Sequence, residues 1–333
     1  MNQMIDSHDP QSIMQKLRSK YFKTQRHRQI QRELDRLLSV DERDPQIAVP
    51  VRFTDNLETK GFLIAAKSGD GKTTAIARVL RQHPALGEAN DASSPKYVRI
   101  IVPSPATLKS LGKAILAALG VTGVSDRTSA MDIWSAIGHR LKLLGIVVLW
   151  IDEAQDVFLS KSAREIDDML KTLKSLMQGD GAVIVILSGT DRLLDVARYD
   201  QQVDRRFRKV VTAPLAIGHD EPKILQLVET YCELARLKPQ IDQNAIMRLI
   251  HGSRFRFGRA IEIILAAIES ALYDESSTLS IQHFAEAWTI QEACSWDQNV
   301  FVCKDWASLD LDAEADEFEG ERTSRQRRQV GRG

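Results

Sequence analysis

Between residues 60 and 212 the chain alternates two kinds of apolar pattern. Short, nearly uninterrupted apolar runs at 62–66, 97–102, 146–151 and 182–187, with a shorter one at 209–212, have the length of buried strands. Helical stretches lie between them: 72–82, from Pro103 and Pro105 to 119, 129–144, and 191 to 208. This alternation predicts an α/β fold, a parallel five-stranded sheet flanked by helices. After Pro214 the alternation stops. Four helical segments follow, at 219–237, 242–251, 257–273 and 280–292, which predicts a small all-helical lid. Upstream, residues 21–40 place Ile30, Leu34, Leu37 and Leu38 at helical spacing, with Lys23, Arg26, His27, Arg28, Arg32 and Arg36 on the other face. That face reads as solvated, or as a docking surface for a partner protein or nucleic acid. Residues 1–20 read as a lead with a short helix, Asp44-Pro45 and Pro50 mark a linker, and 304–333 lack periodicity. The expected division is a basic helical extension (1–50), an α/β core (51–213), a helical lid (214–292) and a flexible tail (293–333).

Composition narrows this little, because 45 basic and 45 acidic side chains cancel. Their placement is uneven: 16–36 is mostly basic, 305–321 acidic, and 322–332 basic again. The acidic-then-basic end reads as a solvating tail or as a hook for a partner. Cys232, Cys294 and Cys303 form no C-x-x-C pair and no metal spacing, and their scarcity fits a reducing cytoplasm. The polar start lacks a signal-peptide core, and the longest apolar run, 143–151, is too short to span a bilayer. A cytoplasmic protein without a membrane partner is expected.

The chemistry concentrates at two places. Lys67-Ser68-Gly69-Asp70-Gly71-Lys72-Thr73-Thr74 follows the first strand and opens the first helix of the alternating region. In such a P-loop, backbone N–H groups wrap a β-phosphate, the Lys72 ammonium reaches β- and γ-oxygens, and the Thr73 hydroxyl ligates Mg²⁺. One position departs from the pattern: Ala66 stands where glycine is usual. The second place is the apolar run 146–151 ending in Asp152-Glu153. Such a pair, downstream of Gly-Lys-Thr, suits a carboxylate that holds Mg²⁺ and a general base that polarises the attacking water. The fourth strand ends in Ser188-Gly189-Thr190, where Thr190 is expected to bond the attacking water or the γ-phosphate, or else merely to cap a helix. Arg205 and Arg206 are candidates for an arginine finger, or for a basic helix end. Arg259, near a helix N-terminus, opposes the dipole there, so an anion such as a bound nucleotide would compensate it.

Taken with Trp150-Ile151-Asp152-Glu153-Ala154-Gln155-Asp156 and Asp204-Arg205-Arg206-Phe207, these features resemble the AAA+ ATPases. More narrowly, they look like the TniB/TnsC group of transposition regulators, relatives of phage MuB, over roughly residues 20–290. The resemblance implies ATP and Mg²⁺ bound at subunit interfaces, and assembly into rings or helical filaments around double-stranded DNA. It further implies marking of the target site and recruitment of a TniA/TnsB-like transposase. Contact with a TniQ-type targeting factor, carried by a CRISPR effector in some systems, is also implied. Hydrolysis then disassembles the polymer, as a slow regulatory timer. By the same analogy Thr190 is sensor 1, Arg205 or Arg206 the finger in trans, and Arg259 sensor 2. DNA would lie against the segment between the second and third core strands, which offers Lys109, Lys113, Arg127 and Thr128 for sequence-independent phosphate contacts. Two other readings share the motifs: a different AAA+ role, such as initiator, helicase loader or ExeA-like secretion ATPase, and a weakly hydrolysing nucleotide-dependent adaptor.

Overall fold

A computed structural model of the chain describes residues 9–40, 48–87, 95–158, 163–199 and 201–313. These form two compact units. One comprises 23–68 and 72–212; the other comprises the described residues of 1–22, 69–71 and 213–313.

The first unit is built on a five-stranded, all-parallel sheet. Its strands are β3 (Gly61–Ala65), β4 (Tyr97–Ile101), β5 (Val148–Asp152), β6 (Ile184–Gly189) and β7 (Phe207–Val211), in the spatial order β4-β5-β6-β3-β7. The three central strands are buried along their whole length, because both faces are covered. Alternate residues therefore feed two separate cores. Leu63, Leu149, Ile151, Val185 and Leu187 face one layer of helices: α4 (Leu108–Ala118), α5 (Ala130–Leu143) and α7 (Ala163–Leu176). Phe62, Ile64, Trp150, Ile184 and Ile186 share the other core with α2 (Gln25–Leu37) and α3 (Lys72–Gln82). Side-chain hydroxyls fix where the first layer begins: Thr107 and Ser110 form a capping box on α4, and Ser129 accepts from the Asp132 N–H at the start of α5. Two short helices, α8 (Arg192–Tyr199) and α9 (Gln201–Arg206), lead to β7.

Two expectations for the N-terminal segment need correction. The helix expected over 21–40 spans only Gln25–Leu37, and Leu38–Val40 (β1) pairs antiparallel with Ala48–Pro50 (β2). Pro50 thus sits in a strand rather than a linker; Asp44-Pro45 lies outside the described residues. Nor is the basic face wholly solvated. Arg26 and His27 are buried, and the Arg26 guanidinium donates to Thr212 Oγ1 at 2.8 Å. Residues 1–50 are not one extension either, since α1 (Pro10–Ser19) belongs to the second unit and α2 to the first.

That second unit packs α1 with α10 (Glu221–Ala235), α11 (Gln243–Gly252), α12 (Phe257–Tyr273) and α13 (Ile281–Glu292), around Met14, Leu17, Tyr231, Ile264, Phe284 and Trp288. Two short strands, β8 (Lys238–Gln240) and β9 (Thr278–Ser280), pair in parallel. The tail expected from residue 293 is corrected in its first part. Val300 and Phe301 are buried in this core, and Phe301 meets the Trp288 ring edge-on. Asn299, fully buried, ties the segment down: its amide donates to Ala285 O (2.7 Å) and Thr289 Oγ1 (2.9 Å), and its Oδ1 accepts from the Phe301 N–H (2.8 Å). An isolated apolar pair has no period, so its burial leaves no mark on the sequence. Residues 314–333 lie outside the described residues.

Replacing Asn299 with Ala should lower unfolding stability by about 1–3 kcal/mol in chemical denaturation, because the Phe301 N–H and the Ala285 carbonyl lose buried partners. A second expectation concerns pH. Burial, then the charges of Lys23, Arg78 and Arg28, hold the His27 imidazole below its ordinary range; burial does the same to His83, against the opposing pull of Asp35. The unfolded chain therefore takes up protons first. Stability from this source is complete above about pH 6.5 and falls as pH drops through and below that value. Melting temperatures measured from about pH 8 to pH 5 should decline on the acid side, less steeply in His27→Gln.

Candidate functional site

In a parallel sheet all C-terminal strand tips reach one edge, the usual place for a site in such folds. Here β3 runs through Ala66 into the loop 67–71, and α3 starts at Lys72. Ala66 is buried and its N–H donates to Gly189 O at 3.1 Å, so it extends the strand pairing. Gly69 and Gly71 both have φ +77°, a left-handed conformation that suits glycine, and a Cβ added at either would meet nothing within 4 Å. The Cα of each glycine is thus uncrowded, but Gly258, at the start of α12, packs against the loop: a Cβ there would lie 2.3 Å from Gly69 O and 3.0 Å from Gly71 N.

Beside it stands Asp152, at the end of β5 and almost fully buried. All four of its acceptor directions are used. Oδ1 accepts from Ser188 Oγ (2.5 Å) and from the Glu153 N–H (3.2 Å). Oδ2 accepts from Thr73 Oγ1 (3.1 Å) and Arg99 Nη2 (2.8 Å). Sheet register explains the convergence: Asp152 pairs with Ser188 across β5–β6, and Arg99 pairs with Trp150, two residues back on the same face. Trp150 Nε1 donates to Ser188 Oγ at 2.7 Å and so orients that hydroxyl toward the carboxylate.

Glu153 follows in the left-handed region, φ 56°, a strained conformation for a residue with a side chain. Its Oε1 lies 3.7 Å from Lys72 Nζ, and its Oε2 accepts from Gln155 Nε2 at 2.9 Å. Gln155 Oε1 in turn accepts the Thr190 N–H at 3.0 Å, linking the tips of β5 and β6. Close packing requires Gly189 between them, since a Cβ there would lie 2.1 Å from Gln155 Oε1. The Thr190 hydroxyl is buried without a hydrogen-bond partner. Lys72, Thr73, Asp152, Glu153 and Thr190 are therefore brought to one edge, with Ser68, Asp70 and Thr74 on the loop and first turn beside them.

Arg206 is ion-paired with Glu58, while Arg205 is exposed. Arg259 lies in the helical unit and pairs with Glu292, which also takes Arg254 at 2.9 Å. Asp312 bonds Arg256 (2.9 Å) and is ion-paired with Arg254 at 3.4 Å. Lys109 and Lys113 both turn toward Asp126, through its carbonyl and its carboxylate respectively. The Lys113 hydrogen bond and charge hold that carboxyl below its usual range. Arg127 is exposed, and Thr128 donates its N–H to Ser125 O at 3.2 Å. The net charge of this patch is lower than its basic residues alone suggest.

Sequence reasoning missed Arg99, Gln155 and the role of Ser188. Arg99 left no signal: in Tyr97-Val98-Arg99-Ile100-Ile101 it alternates with the buried Val98 and Ile100 on an edge strand, where an exposed charge is ordinary. Ser188 and Gln155 lie within motifs already singled out, but the bonds from Ser188 to Asp152 and from the Thr190 N–H to Gln155 join two strand tips and leave no mark in the sequence.

The residues fit a magnesium nucleotide. A glycine loop at a helix start, a buried cation, a hydroxyl beside a buried carboxylate and an orphaned Thr190 hydroxyl supply the donor set a polyphosphate and its ion require. Among the described residues no group of three or more His, Cys, Asp or Glu could hold a metal ion, so an ion at Thr73 and Asp152 would draw other ligands from phosphate and water. No described helix is long and apolar enough to cross a membrane.

Comparison with solved structures finds the same fold in the Aeropyrum pernix ORC1 protein in complex with DNA (TM-score 0.56, 18% identity, 82% of this chain and 66% of that one). It is also found in Cdc6p from Pyrobaculum aerophilum (0.57, 12%, 83% and 69%) and in the Aeropyrum pernix ORC2 protein in its ADPNP-ADP complexes (0.56, 18%, 83% and 69%). The match to the first of these covers slightly under two thirds of that chain. A comparison with curated protein sequences finds no significant match. The family model described as Bacterial TniB protein matches residues 13–215, more than half of the chain. The chain is accordingly a member of the TniB family, built on the AAA+ ATPase fold.

Proposed function

We propose that the protein is a slow, Mg²⁺-dependent ATPase that assembles on double-stranded DNA, marks a target for transposition and recruits the transposase. The observation that carries this reading is the convergence of Lys72, Thr73, Asp152 and Glu153 at the end of a glycine loop. Lys72 and the N–H groups of 68–74 bind phosphate; Thr73 and Asp152 hold the ion. The ion, when bound, neutralises developing charge on the phosphoryl oxygens. Glu153 takes a proton from the attacking water, and Thr190 uses its spare hydroxyl to orient that water or the γ-phosphate. Before doing so, Glu153 has to leave Lys72 and Gln155, and this supports slow, regulated turnover. Arg205 or Arg206 acts on a neighbouring subunit's nucleotide, and Arg206 must first part from Glu58. Arg259 contacts the nucleotide once freed from Glu292. Lys109, Lys113, Arg127 and Thr128 face DNA phosphates without reading sequence. Family membership supports a TniA/TnsB-like transposase and a TniQ-type factor, alone or with a CRISPR effector, as partners in a cytoplasmic ring or filament. The engaged Glu153 carboxylate also favours a second reading, an adaptor that binds ATP and scarcely hydrolyses it.

Two variants test these readings. Lys72→Ala should weaken ATP binding by about two orders of magnitude, measured with a fluorescent nucleotide, because it removes a buried charge-assisted contact to phosphate. Glu153→Gln should cut turnover by about 10²–10⁴-fold while ATP affinity stays within a few-fold of wild type. With random-sequence duplex and ATP, sedimentation should show large assemblies that outlast those of the wild type. Normal ATP binding without such assemblies would defeat the timer model, and a wild-type turnover no higher than that of Glu153→Gln would favour the adaptor.

A further inference from the structure

We propose that Arg99 is the resident counter-cation of Asp152 and competes with the divalent ion for that carboxylate, so that Arg99 sets the metal affinity of the site. The inference rests on the magnesium-nucleotide reading above. A carboxylate offers about four acceptor directions, and those of Asp152 are filled by Ser188, the Glu153 N–H, Thr73 and Arg99. An ion or its water can be held there only if one partner yields. Ser188 is fully buried and itself held by Trp150; the Glu153 N–H is backbone. Thr73 keeps its place, because its hydroxyl presents lone pairs to an ion as readily as it donates to a carboxylate. Arg99 is the partner that can leave. It lies on the edge strand β4, and 36% of its side chain is exposed.

The same geometry explains why an arginine is kept there. With its side chain 3% exposed, Asp152 would be an uncompensated buried charge without a cation, which is costly. Arg99 supplies that cation from the surface. Its guanidinium lies 4.5 Å from the centre of the Trp150 ring, and this stacking fixes its approach to Oδ2. The site is thereby stable without metal, and metal entry carries the cost of breaking a charge-assisted hydrogen bond.

The test is Mn²⁺ binding to the full chain loaded with ADP, followed by electron paramagnetic resonance, in wild type, Arg99→Met and Arg99→Lys. Methionine keeps an apolar stem over Trp150 without the charge; lysine keeps the charge. The expected result is Mn²⁺ affinity about tenfold or more tighter in Arg99→Met, and near wild type in Arg99→Lys. Thermal unfolding adds a second readout: Arg99→Met should melt below wild type in EDTA and recover with Mn²⁺. Arg99→Gln takes the place of Arg99→Met if the latter does not fold. Unchanged or weaker Mn²⁺ binding in the uncharged variant, with wild-type ADP affinity in EDTA, would overturn the inference and leave Arg99 as an anchor for Asp152. Failure of the wild type to bind ADP even without metal would instead remove the nucleotide reading, and this inference with it.

Discussion

Asp152 is an acid group placed where water scarcely reaches, at the tip of β5, one of the three strands buried along their whole length. Such a charge costs several kcal/mol unless paired and hydrogen-bonded on every side. Much of the unit's site architecture follows from meeting that condition. β6 contributes the Ser188 hydroxyl, oriented by the Trp150 indole; α3 contributes Thr73; β4 contributes Arg99; and the chain's own turn contributes the Glu153 N–H. Four elements of secondary structure and a turn thus meet around one carboxylate, and the parallel ladder sets the register of the three strands among them.

Around this satisfied centre stand groups left strained or unsatisfied. Glu153 occupies a left-handed backbone conformation, and the Thr190 hydroxyl is buried with no partner. Each costs about 1–3 kcal/mol. The apolar cores on both faces of the sheet offset these costs, and neither feature helps the ligand-free chain to fold. They make sense as preparation for something that arrives later. The helical unit shows a different habit: Glu292 and Asp312 cover the arginines that open α12, so that basic cluster is neutralised from within.

Much of this was legible in the sequence. The five strands, the helix after the phosphate loop, Asp152-Glu153 at a strand end and the four C-terminal helices all follow from runs of apolar residues punctuated by glycine, proline and charge. Parallel strands covered on both faces write the strongest such runs, and for that reason the strand limits were readable to within a few residues. Where the pattern is short or mixed it misled. The basic face of α2 hides Arg26 and His27, which burial and Thr212 hold in place, and the segment after α13 hides Val300, Phe301 and Asn299. Neither case has enough successive residues on one face to show a period.

Local order by itself determined the element types, the phosphate-loop chemistry and the adjacency of the two carboxylates, since these depend on residues close together along the chain. Tertiary structure alone decided the company those residues keep. Arg99 lies 53 residues before Asp152, and Ser188 36 residues after it. Only strand order brings them to one oxygen pair. The same is true of Asp126 beside Lys109 and Lys113, and of Glu292 beside Arg259. A charge in a sequence is a bare charge; whether it is free, paired or spent is settled by which neighbour the fold delivers within about 3 Å, the distance at which a hydrogen bond forms.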